Sequence, residues 1–91
     1  MIEHSRPSIG QQEAKAVLGV LKSGIIYEGQ TVRQFEDDLS SYIGAKGAVA
    51  TSTGTLALHL ALLGLGVEPG DEVILPCYVC RSALNSVLYC G

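Results

Sequence analysis

Residues 51–55 read Thr51-Ser52-Thr53-Gly54-Thr55, a run of hydroxyl side chains around one glycine. The run lies between a short apolar stretch, Ala48-Val49-Ala50, and a leucine-rich segment over residues 56–63. A turn of this kind that opens a helix exposes backbone N–H groups at the positive end of the helix dipole, which favours a phosphate or carboxylate. The same residues also suit an ordinary N-cap, in which Thr53 or Thr55 satisfies the first helical turn. Local features divide evenly between the two readings.

Other candidates carry less chemistry. Cys77-x-x-Cys80, with Cys90 and His59 elsewhere, has the spacing of a zinc or redox pair. A structural zinc site usually pairs two such sets and only one is present, so no metal site is expected. Both cysteines flank the start of an apolar helix, where free Cys acts as a small hydrophobe, and they are expected to be reduced. His59, in the middle of the leucine-rich segment, reads as a buried or partner-facing side chain rather than a base or ligand. Glu36, Asp37 and Asp38 read as a solvated face. Arg81, near a helix start, opposes the dipole and invites a buried anion or carboxylate partner. Gly64-x-Gly66-x-x-x-Gly70 closes a helix, whereas the dinucleotide fingerprint follows a strand and opens one; it is a turn.

These residues need elements to hold them. Ala14, Val17, Leu18 and Leu21 form one stripe of an amphipathic helix. Ser8 or Gly10 can cap it, Glu13 and Lys22 suit its two ends, and Gly24 suits a left-handed stop. A second helix starts at Gln30 or Thr31, buries Val32, Phe35, Leu39 and Tyr42 or Ile43, and ends at Gly44. Residues 48–50 and 72–75 are short apolar runs expected to be buried strands. The all-round apolar helix between them is expected to be packed on both sides, and residues 79–89 form another helix. The order α-α-β-α-β-α indicates an α/β protein with a parallel sheet, although two or three strands are few for such a sheet.

The chain has 91 residues with 6 basic and 9 acidic side chains, a net charge of −3 and 47% apolar residues. That length allows one domain at most, and the apolar content excludes a disordered tail. A pI near 5.1 leaves no basic footprint for nucleic acid. The longest apolar stretch is too short to span a bilayer, and no apolar core follows the start from Met1 to Pro7, so no signal peptide is expected. A cytoplasmic protein is the default. A chain of this size buries only roughly 60–65% of its unfolded surface, so a partner chain or further residues are expected to cover the rest.

Taken in order, the pieces resemble a known family. Pro7-Ser8-Ile9-Gly10, Ser23-Gly24, Gly29-x-x-Val32-x-x-Phe35-Glu36 and Tyr42-Ile43-Gly44-Ala45 form the opening. Gly54-Thr55-x-Ala57-Leu58-His59-Leu60-Ala61-Leu62 and Gly66-Val67-x-Pro69-Gly70-Asp71-Glu72-Val73-Ile74 follow. The chain resembles the N-terminal quarter of the DegT/DnrJ/StrS family of pyridoxal-phosphate-dependent sugar aminotransferases, from about Arg6 to Gly91.

The resemblance implies the N-terminal part of a fold-type I large domain, a three-layer α/β unit with a mainly parallel sheet, incomplete over residues 1–91. It implies a homodimer that aminates a keto group on a nucleotide-linked sugar, with an amino acid as donor and pyridoxal 5'-phosphate as cofactor. Some relatives use the cofactor for dehydration instead. The family's phosphate-binding turn falls on Thr53, Gly54 and Thr55. The aromatic residue that stacks on the pyridine ring falls on Cys80, with Tyr78 as the neighbouring alternative. The lysine that bonds to the cofactor and the aspartate that pairs with its ring nitrogen lie beyond this length in the family, and Lys15, Lys22 and Lys46 match neither. The chain alone is therefore expected to be inactive, with no catalytic residue of its own. A non-enzymatic oligomerising module and a simple anion-binding module are the alternatives from other classes.

Overall fold

The computed structural model describes residues 4–91, so the leader reading that begins at Met1 lies partly outside them. Four helices follow in order: α1 Gln11–Ser23, α2 Gln30–Ile43, α3 Gly54–Gly64 and α4 Arg81–Leu88. The chain divides into two compact units, Met1–Ala48 and Val49–Gly91.

In the first unit the helix ends follow from local chemistry. Gly10 caps α1 with extended backbone, and its N–H donates to Glu13 Oε2 at 2.7 Å. This supplies an acceptor at the end of the helix where donors are in excess. Gly24 ends α1 in the left-handed region, φ 72°, and donates to the Leu21 carbonyl at 3.2 Å. Helix α2 runs from the Gly29 cap to Gly44, also left-handed, where the Ala45 N–H reaches the Ser40 carbonyl at 2.9 Å. Gln34 Nε2 donates to Asp38 Oδ1 at 2.9 Å along the polar face of α2.

In the second unit α3 packs against α4. Helix α3 ends at Gly64, and Gly66 follows in the left-handed region, φ 77°, where Val67 N–H bonds back to the Leu62 carbonyl at 3.1 Å. This is the paired closing pattern of a left-handed helix end. A tight turn follows: Asp71 N–H donates to the Glu68 carbonyl at 3.1 Å, and Asp71 Oδ2 accepts from Glu68 N–H at 2.9 Å. The glycine cluster is thus a turn, as its spacing implies. Ala83 and Ser86 are the buried residues of α4, and Ser86 Oγ donates to the Ala83 carbonyl at 2.7 Å, which satisfies it inside the unit.

Three expectations are corrected. Residues 48–50 and 72–75 are not strands, and no strand is present among the described residues. Strand geometry is held by a ladder of bonds to a neighbour, and short runs of this length are marginal without several partners. Ile74, expected inside a sheet, is 98% exposed. The leucine-rich helix is not packed on both sides either: Leu56, Leu58, Leu60 and Leu63 are 44–50% exposed. Helix α4 covers part of α3, and an all-round apolar helix needs cover on more than one side. The stripes of α1 and α2 are likewise exposed at Val17, Leu18, Leu21, Phe35 and Ile43.

Candidate functional site at the start of helix α3

Thr53 stands at the N-cap of α3 with extended backbone, φ −150° and ψ 154°, and its Oγ1 accepts from Leu56 N–H at 3.2 Å. The Thr53 carbonyl accepts the first helical bond, from Ala57 N–H at 3.1 Å. It also accepts from Thr51 Oγ1 at 2.9 Å, so the hydroxyl two residues earlier fixes the approach to the cap. Thr51 belongs to the hydroxyl-rich run of the sequence, and its bond to the Thr53 carbonyl gives it a role that composition alone does not assign.

The cap leaves the N–H groups of Gly54 and Thr55 without an intrahelical acceptor, as the first turn of any helix must. No acidic residue lies in that turn to compete for them. A side chain at Gly54 would meet no atom within 4 Å, and its φ is not positive. Neither internal packing nor backbone conformation of the chain requires glycine there. Thr55, the first half-buried residue of the helix, completes the set. A hollow beside the turn is lined by Thr51, Ser52, Leu56, His59, Leu60 and Leu63.

Cys80 stands at the N-cap of α4 and is exposed. Its Sγ lies 3.5 Å from Ser82 Oγ. The Ser82 hydroxyl, then the Ser82 backbone N–H, hold the thiol below its ordinary range. The Cys80 side chain makes no cap bond to the first turn of α4. Tyr78 is wholly exposed. Cys77, Tyr78, Val79 and Cys80 line a hollow of their own, which shares no residue with the one beside Thr51. The structure therefore brings Thr53, Gly54 and Thr55 together and does not join Cys80 to them in one pocket.

The reading of Cys77 and Cys80 as packed hydrophobes is corrected, since both are exposed. So is the buried partner of Arg81: the side chain is exposed at the first position of α4. Among the described residues no group of three His, Cys, Asp or Glu gathers for a metal ion. Among the described residues no helix is long and apolar enough to cross a membrane.

A family model described as the DegT/DnrJ/EryC1/StrS aminotransferase family matches residues 7–91. The chain belongs to this family. Membership covers both compact units, from Pro7 to the last residue. The hydroxyl-rich turn lies within the matched residues, at a helix start that carries a threonine cap and no acidic residue in its first turn.

Proposed function

We propose that the chain contributes the phosphate-binding turn of a pyridoxal-phosphate-dependent aminotransferase acting on a keto sugar linked to a nucleotide. The observation that carries the reading is the start of α3. There the backbone N–H groups of Gly54 and Thr55 have no intrahelical acceptor, and the side-chain position of Gly54 is open space. This fits the phosphate of the cofactor: N–H groups and hydroxyls donate, the helix dipole favours the charge, and Gly54 permits close approach. Thr53, Gly54 and Thr55 would hold the phosphate, and Cys80 or Tyr78 would border the ring. When bound, the cofactor supplies an electron sink for moving an amino group.

The chain's own residues bind and orient; none is placed to move a proton. Residues 49–91 contain no lysine. Lys15 and Lys22 lie exposed on α1, and Lys46 lies exposed after α2. The covalent anchor is therefore taken to come from elsewhere in a complete enzyme, and the chain alone is inactive. In that enzyme residues 48–50 and 72–75 enter a parallel α/β sheet, and residues 1–91 form the first part of the large domain. The amino donor is an amino acid, the setting is the cytoplasm, and the exposed apolar residues of α1 and α3 support a homo-oligomer.

The test titrates pyridoxal phosphate and, separately, inorganic phosphate against the chain while amide resonances are followed. Weak binding that moves the Gly54 and Thr55 amides is expected, with Gly54→Val weakening it more than Thr55→Ser. Equal affinity in Gly54→Val overturns the reading and leaves the turn a plain helix cap.

A further inference from the structure

The Cys77-x-x-Cys80 motif has no part in the phosphate turn, yet the structure gives it a distinct setting. Both thiols are free and exposed. The backbone bends at Cys77, Tyr78 and Val79, and these three residues with Cys80 line one shallow hollow. The two cysteines therefore border the same indentation at the entrance to α4. Cys90 differs: it is half-buried, and its Sγ donates to the Ser86 carbonyl at 3.5 Å.

We propose that Cys77 and Cys80 are a redox-sensitive dithiol, closed to an intramolecular disulfide by exchange with a low-molecular-weight disulfide. Cys80 is the attacking thiol. The Ser82 hydroxyl and the N–H groups at the start of α4 favour its thiolate, and the thiolate is the nucleophile in exchange. Cys80 gives its proton to solvent and attacks one sulfur of the small disulfide. The S–S bond breaks, and one small thiolate leaves and is protonated. Cys77 then loses its proton and attacks the Cys80 sulfur of the mixed disulfide, expelling the second small thiolate. Two protein thiols are oxidised, and one small disulfide is reduced to two thiols. No cofactor enters the exchange, so it stands or falls separately from the aminotransferase reading.

The test equilibrates the dilute 91-residue chain with glutathione disulfide, alkylates the remaining thiols and maps the peptides by mass. A Cys77–Cys80 disulfide, lighter by two hydrogens, with Cys90 alkylated, is the expected product. Cys77→Ser should stop at a mixed disulfide on Cys80, and Cys80→Ser should lose the intramolecular bond. Circular dichroism of both variants shows whether the helices persist, and the wild-type map decides the matter if they do not. Full alkylation of both thiols after equilibration overturns the proposal. So does a disulfide that uses Cys90, or capture of glutathione at Cys77 ahead of Cys80.

Discussion

The imidazole of His59 and the ring of Tyr89 meet edge to face, with centroids 5.6 Å apart and planes at 63°. The pair ties the middle of α3 to the residue that ends α4. It also buries His59 Nε2, which has no hydrogen-bond partner among the described residues. A buried nitrogen left unmatched costs about 1–3 kcal/mol, whereas an aromatic pair contributes about 0.5–1.5 kcal/mol beyond its area. His59→Phe keeps a ring against Tyr89 and removes the orphan atom, so it should raise the midpoint of thermal unfolding. Tyr89→Ala should lower it. Circular dichroism melts decide the sign, and a lower midpoint for His59→Phe would show that the nitrogen is matched in solution.

Thr53 and Thr55 should separate stability from binding. Thr53 Oγ1 caps α3 through Leu56 N–H, and removing such a cap costs about 1 kcal/mol. Thr53→Ala should therefore reduce helix content and weaken phosphate binding together. Thr55 makes no cap bond, so Thr55→Val should leave the melt nearly unchanged while weakening phosphate binding through loss of the hydroxyl. Melts and phosphate titrations of the two variants, run side by side, check the split. Equal phosphate affinity in Thr55→Val removes that hydroxyl from the site.

The helix ends were legible because each depends on a few adjacent residues. Gly10, Gly24 and Gly44 cap or stop their helices as their positions in the sequence imply. The start of α3 was legible only as a hydroxyl-rich turn; which threonine caps it depends on backbone angles that composition does not contain. The apolar runs at residues 48–50 and 72–75 were read as strands because apolar content alone does not supply a ladder partner. The apolar neighbours of Cys80 suggest a small hydrophobe, but its exposure depends on how the bend before α4 turns. Caps are local and survive in any context, whereas burial belongs to whatever packs on the element.

Two glycines should respond to the same substitution with opposite signs. Gly66 holds φ 77° at the end of α3, and a side chain there would meet nothing within 4 Å. Gly66→Ala therefore suffers from backbone strain alone, about 1–2 kcal/mol. Gly19 lies inside α1, again with nothing within 4 Å of the added carbon. Gly19→Ala should strengthen α1 by about 1 kcal/mol through helix propensity. Helix content and melting of the two variants check the pair, and destabilisation by Gly19→Ala would mean that another surface covers that face of α1.

The cap of α1 should be sensitive to acid. Glu13 accepts the Gly10 N–H at 2.7 Å, and its carboxyl is held below the ordinary 4.5 by backbone N–H bonds, its own first and that of Gly10 second. Folding therefore favours the ionised form. The stabilisation is present in full above the unfolded value and is lost as pH falls through the lowered folded value. At neutral pH the cap is complete, and below about 4.5 the contribution to α1 declines. Glu13→Gln keeps an oxygen that can accept the Gly10 N–H but removes the titration and the charge that suits the helix N-terminus. The variant should have less helix than the parent at neutral pH and should approach it in acid. Helix content followed by circular dichroism from neutral to acidic pH checks this. An unchanged gap between the two proteins across that range would show that the carboxylate does not hold the cap.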